Sequence, residues 1–302
     1  MTILGVLVRL AILLACSPLL LGVINKTKAL AAGRKGAPLV QPYHDIAKLL
    51  RKSLTLSRTT SWVFVAGPIA GLASVIVASM VLPFGPSKAP LAFGGDMILF
   101  AYLFGLSRFF TTAAALDTGS AFEGMGASRE AFFACLAEPA LLLAFLALSA
   151  RSSSLSLSGM LQSRPGNPDM PFVLVCVGLF IVLLAENCRI PIDDPTTHLE
   201  LTMIHEAMVL DHGGPLLGLV EYASAMKLLV LESLLARLLF PFGVHGAWLD
   251  WAFLALGAVG IAAVIGLLES SMARLKMRRV PYLLTGAILL CGSAFILLAG
   301  AA

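Results

Sequence analysis

Residues Pro171 to Ala185 read P-F-V-L-V-C-V-G-L-F-I-V-L-L-A, fifteen positions without a charge, and the chain then turns polar in E-N-C-R-I-P-I-D-D-P, Glu186 to Pro195. The first half has the composition of a helix in hydrocarbon, where every backbone polar group must be satisfied within the segment. The second half has the polarity of a chain emerging from hydrocarbon into water. Outward from this junction, similar runs recur in both directions. A helix crossing the hydrocarbon core needs roughly 20 mostly apolar residues. The runs fall at residues 3–24, 62–82, 97–115, 131–150, 171–185, 216–240, 251–268 and 281–298. The fifth is short, and its helix is expected to continue into Glu186-Asn187-Cys188-Arg189. Between the first two runs, Gly33 to Pro38 breaks regular structure, and Gln41 to Ser53 then sets Tyr43, Ile46, Ala47 and Leu50 opposite Lys48, Arg51 and Lys52. That pattern predicts an amphipathic helix lying in the headgroup plane or against a partner. The expected fold is therefore all-α: a polytopic membrane protein of about eight transmembrane helices plus an amphipathic cytoplasmic-side helix. No internal repeat or low-complexity linker divides it, so residues 1–302 form one membrane domain.

Composition agrees: 302 residues, 59% hydrophobic and 13% charged, with a mean hydropathy of +0.93, leave too little polar surface for a water-soluble fold. The lipid bilayer is the expected surrounding. A net charge of +4 is too mild to indicate nucleic acid. The five cysteines contain no C-x-x-C pair, so no iron–sulfur, nickel–iron or thiolate zinc site is expected in this chain. Redox metal chemistry, if any, belongs to another chain. The first run is read as a retained span and not a secretory signal, because its basic cluster comes after the run. Fourteen of the 21 Lys and Arg fall in the first, third, fifth and seventh connections and three on the opposite side. By the positive-inside rule both termini face away from the cytoplasm, in a multi-pass protein of the cell's inner (cytoplasmic) membrane.

An ionisable side chain at bilayer depth costs about 2.5–3.5 kcal/mol on insertion scales and requires a partner, a cavity or a task. Glu138 lies in the fourth run, Glu221, Lys227 and Glu232 in the sixth, and Glu186 at a cytoplasmic end. On a helix Glu221 and Glu232 fall within about 20° of one face, some 16 Å apart, which suits two stations on a hydrated path. Ion pairs that merely fix helix packing are the competing reading, and the stronger one for Arg108, Lys227 and Glu232. Arg9, Arg237 and Glu269 lie near run ends and are expected to snorkel to water. His198, His205 and His212 recur every seven residues, about 10 Å apart on a helix and too far to share one metal ion. The fifth connection is the polar centre of the chain, and such a loop on so apolar a protein argues for an interface. There Arg189 is expected to counter Glu186 or Asp193.

The segment A-E-N-C-R-I-P-I-D-D-P, Ala185 to Pro195, with H-L-E-L at His198 to Leu201 and Glu221-Tyr222-Ala223, resembles the membrane-embedded subunit 1 family of respiratory complex I. Gly126, Arg129 and Glu138 match a further element of that family. Asp117-Thr118-Gly119-Ser120, Gly126 to Glu130, Glu138-Pro139 and S-M-A-R-L-K at Ser271 to Lys276 are similar to the branch of membrane-bound group 4 nickel–iron hydrogenases, formate hydrogenlyase subunit 4 and its relatives. One departure is the stretch T-M-I-H-E-A-M-V-L-D-H-G-G, Thr202 to Gly214, which leaves either Glu206 or Asp211 for the acidic role usual in the family. The resemblance implies a non-catalytic subunit that anchors a peripheral redox arm and couples it to ion movement. It implies a proton path through Glu138, Glu186, Glu200, Glu206, Asp211, Glu221 and Glu232. It places arm docking and the chamber wall at Arg34, Gln41, Arg129, Arg189, Asp193 and Asp194. The implied partners are peripheral hydrogenase large and small subunits, an iron–sulfur subunit and antiporter-like membrane subunits, with iron–sulfur clusters and a nickel–iron centre in those partners and no cofactor here. The competing readings are a quinone-chamber subunit of an NADH:quinone oxidoreductase, a stand-alone secondary ion transporter, and a passive scaffold.

Overall fold

The computed structural model describes residues 3–85, 88–161, 169–193, 203–240 and 247–300. Asp194, His198 and Glu200 lie outside them. Every regular element described is helical: α1 (Ile3–Ala31), α2 (Gln41–Leu50), α3 (Trp62–Val81), α4 (Asp96–Asp117), α5 (Ala121–Ser152), α6 (Leu157–Met160), α7 (Met170–Glu186), α8 (His205–Met208), α9 (Gly214–Leu239), α10 (Ala247–Ser271) and α11 (Val280–Ala299). Seven of these are long and apolar enough to cross a membrane, and α7 is a shorter apolar helix of 17 residues. A helix overlies each of the eight apolar runs, but α5 begins ten residues before its run. The amphipathic segment forms α2, which packs on α9 and α1.

Helix α9 is the axis of the bundle. From Ala225 onward nearly every residue to Leu238 is buried, because α1, α3, α7 and α10 all pack on it. Helix α11 closes the side made by α5 and α7, and α4 lies along α3. Small residues permit the close crossings: a Cβ on Gly67 of α3 would stand 2.7 Å from the Ala114 Cβ of α4.

Three helix ends decide where the charged groups go. Helix α7 stops at Glu186 and does not continue into the polar segment as expected. The Cys188 backbone turns to φ 49°, the amides of Cys188 and Arg189 bond back to Ala185 O and Leu184 O, and Asn187 Nδ2 donates to Leu183 O at 2.9 Å. This satisfies the final carbonyls and reverses the chain within one turn. At the other membrane face, Arg9 and Arg237 do not snorkel: they are 3% and 6% exposed. Arg9 Nη2 donates to Ser79 O at 3.2 Å and to Leu82 O, and Arg237 Nη1 donates to Gly85 O. Ser79 O and Leu82 O at the end of α3 lack intrahelical partners, and Gly85 O lies in the turn just beyond it, so these buried acceptors favour holding the two cations inside over sending them to water. Glu269 is likewise buried, paired with Lys28 at 2.9 Å and Arg189 at 3.6 Å.

Candidate functional site

Four helices meet at the end of α7 around one guanidinium. Arg108 of α4 places Nε 3.0 Å from Glu130 Oε1, Nη1 2.5 Å from Glu138 Oε1 and Nη2 against Glu186 Oε1. Lys227 of α9 reaches Glu186 Oε2 at 2.8 Å, with its ammonium over the Phe104 ring at 5.7 Å. Glu186 therefore lies between two cations, its side chain 1% exposed. An arginine fork satisfies three carboxylates at once because it carries five donors in a plane. The set holds two cations and three carboxylates, an excess of one negative charge. Of the three, Glu138 is the outermost, with 37% of its side chain exposed on the face of α5.

A cavity of about 60 Å³ opens beside the cluster, between Ser107, Thr111, Glu130, Asn187, Ser224 and Lys227. A second, of about 10 Å³, lies behind it against Phe133 and Ile192. Spaces of this size, of mixed polar and apolar lining, have room on the order of one to a few waters and fall well below the roughly 300–1,000 Å³ of small-molecule pockets. Among the described residues no group of three His, Cys, Asp or Glu could hold a metal ion.

The loop after α7 is clamped on its other side. Asp193 pairs with Arg274 at 2.9 Å and accepts from the amides of Ile204 and His205, both at 3.1 Å. The Leu275 amide donates to Pro191 O at 3.0 Å. Arg189 faces Glu269 and not Glu186 or Asp193, because the turn at Cys188 sends it toward α10. Both Arg189 and Asp193 are buried. Arg129 donates from Nη1 to Met203 O at 2.9 Å, tying α5 to the segment before α8. Arg34 is exposed, and Gln41 at the start of α2 bonds Asp45 at 2.9 Å.

The remaining acids spread along α9 and its approach. Glu232 is fully buried with neither oxygen hydrogen-bonded among the described residues. Glu221 is half-buried near the start of α9. Lys227 lies between them in sequence but about 120° around the helix from Glu221, so the ion cluster stands beside the line joining these two acids. Glu206 is half-buried and Asp211 exposed. His212 is stacked on Phe64, ring centroids 4.0 Å apart, and burial pulls its imidazole below the usual histidine range. Two acids escape a reading of the sequence alone. Glu130 is assigned there to a connection, and Glu123, buried and accepting from the Asp211 amide at 3.0 Å, sits in the same stretch. Their eight- and fifteen-residue distances from Glu138 are a signal only once α5 is known to begin at Ala121.

Fold and site together define a polytopic membrane protein that keeps three carboxylates and two cations together within its helix bundle. The family described as NADH dehydrogenase matches residues 3–300, and the chain belongs to it as a complex-I-like membrane subunit. It is 29% identical over 290 residues to formate hydrogenlyase subunit 4 of Escherichia coli (strain K12), covering 93% of this chain and 94% of that one. It is 33% identical over 239 residues to hydrogenase-4 component C of the same organism, covering 78% and 75%. The fold is shared with a chain of the membrane-bound sulfane sulfur reductase, an archaeal respiratory membrane complex, at a TM-score of 0.83 and 21% identity, over 97% of this chain and 99% of that one.

Proposed function

We propose that this chain is the membrane-anchoring and coupling subunit of a complex-I-like membrane-bound hydrogenase, docking the peripheral redox arm and linking its electron transfer to proton translocation. Its partners on this reading are the hydrogenase large and small subunits, an iron–sulfur subunit and antiporter-like membrane subunits. Iron–sulfur clusters and the nickel–iron centre belong to those partners. The similarity to the two hydrogenase components supports the assignment. The observation that carries it is the cluster around Arg108: three carboxylates against two cations, beside a water-sized cavity of mixed lining. An excess carboxylate in such a site is most readily neutralised by a proton. Glu186, Glu130 and Glu138 then form the inner part of a path, with Glu221, Glu206 or Asp211 on its approach and Glu232 as a further station. The partly exposed Glu138 is where the path leaves toward a neighbouring membrane subunit, since a carboxylate at bilayer depth calls for a polar partner. Exposed Arg34 and half-buried Gln41, at the cytoplasmic end of α1 and the start of α2, supply docking contacts. The basic asymmetry supports placing both termini on the non-cytoplasmic side of the inner membrane.

Glutamine keeps the shape of glutamate and removes its titration. Glu138→Gln and Glu221→Gln should assemble and support hydrogenase turnover with an artificial electron carrier, yet lose the proton movement coupled to it in reconstituted vesicles. Acidification at the wild-type rate per turnover would overturn the path. NADH- or quinone-linked activity of the purified complex would favour the quinone-reducing counterpart.

A further inference from the structure

Helices α7 and α10 each pack on α9 but not closely on one another. The gap is a groove of about 640 Å³ with Leu235 and Leu239 of α9 as its floor, Phe172 and Val177 of α7 on one wall and Leu256 and Val264 of α10 on the other. Every lining residue is apolar. The groove occupies the half of α7 remote from Glu186, so it is separate from the ion cluster. It is open along its length: Leu256 is 66% exposed, and a Cβ on Gly260 would meet nothing within 4 Å.

The charge at its mouth and the length of α7 point to the occupant. Its mouth carries a cation. Arg151, at the end of α5, holds its guanidinium 5.0 Å from the Phe172 ring centroid and gives Nη1 to Asp169, while its side chain stays 21% exposed. Among the described residues that fork is paired with Asp169 alone, which leaves further donors for an acceptor. Helix α7 is also short: 17 residues rise about 25 Å against a hydrocarbon core of about 30 Å. A headgroup drawn down toward the start of α7 relieves that mismatch.

We propose that this groove is a binding site for one membrane phospholipid, with an acyl chain lying on α9 between α7 and α10 and the phosphate against Arg151. The lipid would then brace the short helix whose far end presents Glu186 to Arg108 and Lys227.

The test uses the assembled complex, purified in detergent, supplied with dioleoylphosphatidylglycerol or dioleoylphosphatidylcholine and examined by native mass spectrometry of this subunit. Wild type should retain one phospholipid of either kind. Gly260→Phe, whose Cβ would enter open space in the groove, should lose it, and Arg151→Gln should weaken retention about tenfold, the order of one charge-assisted hydrogen bond. Gly286→Phe, on an open face of α11, should retain it as wild type does. Equal retention by wild type and Gly260→Phe would overturn the site. A photoreactive residue in place of Leu256, irradiated in native membranes, gives a reading that does not depend on the folding of Gly260→Phe. A lipid adduct supports the proposal, and an adduct to a protein subunit overturns it in favour of a docked helix.

Discussion

Replacing Arg108 by Gln removes the one group that touches all three carboxylates of the cluster, and the structure sets the size of the loss. Breaking a buried ion pair by deleting one partner costs about 3–5 kcal/mol, because the other charge stays behind. The three contacts do not count equally. Glu138, more than a third exposed, is screened and adds little. Glu186 keeps Lys227 at 2.8 Å, so it is weakened and not abandoned. Glu130, with 14% of its side chain exposed at 3.0 Å from Nε, has no second cation among the described ion pairs. The expected destabilisation is therefore near the lower end of that range, about 3 kcal/mol. Reversible unfolding of the purified protein in mixed detergent micelles measures it. Arg108→Lys should recover less than half, since an ammonium cannot reproduce a planar fork toward three acceptors. Glu130→Gln added to Arg108→Gln should restore part of the loss, a positive coupling in a double-mutant cycle. An Arg108→Gln variant within about 1 kcal/mol of wild type, or strictly additive losses in the cycle, would refute the account of a mutually supporting cluster.

His212 should make the protein acid-sensitive: its folded-state pKa lies below the unfolded value because of burial, so its contribution is complete above about pH 6.5 and declines as pH falls below that value. His212→Phe keeps the stack on Phe64 and should flatten that part of a stability-against-pH curve; an unchanged curve would assign the acid sensitivity elsewhere. Arg9→Met leaves Ser79 O and Leu82 O without their donor and should cost about 1–3 kcal/mol in the same unfolding assay, whereas a snorkelling arginine would cost close to nothing. Glu232→Leu removes a buried carboxyl without a hydrogen bond among the described residues and should leave the fold at least as stable; a loss of about 3 kcal/mol or more would show that Glu232 acts as a buried countercharge.

What is legible in the sequence is what hydrocarbon dictates residue by residue. An apolar run long enough to span a bilayer has one regular structure open to it, so all eight runs correspond to helices. The amphipathic α2 is readable for a related reason, from periodicity alone. Local reading fails where a third element decides the outcome. A-F-E-G-M-G-A-S-R-E, Ala121 to Glu130, is too polar to look like part of a span. It is helical because Gly126 lets α5 approach α8, where a Cβ would stand 2.9 Å from Ala207 Cβ, and because Glu123 is buried on the Asp211 amide. With that boundary misplaced, Glu130 is invisible as a neighbour of Glu138. Arg108 and Lys227 stand out as charges at bilayer depth, but Arg108 and Glu186 are 78 residues apart, and no local rule pairs them. For Arg9 and Arg237 the sequence shows only their own preference for water. The carbonyls at the end of α3 and in the turn after it, which outweigh that preference, belong to another segment.

The placement of Glu186 gives the coupling proposal its physical content. It is the last residue of a helix, so its carboxylate moves with whatever moves the adjoining turn. That turn is held at its far side by Arg274 on Asp193 and by the Leu275 amide on Pro191, contacts to the segment between α10 and α11. On its near side Glu186 is shared by Arg108 and Lys227. A displacement of the loop at the membrane surface would therefore lengthen one or both of those ion pairs. With three carboxylates and two cations, any such lengthening alters which carboxylate is left uncompensated, and hence which one a proton neutralises. A balanced set would answer the same displacement by breaking a pair at a cost of several kcal/mol. On the proposed reading, the unbalanced one would answer by moving a proton among acids that Arg108 already holds together, the response that coupling requires.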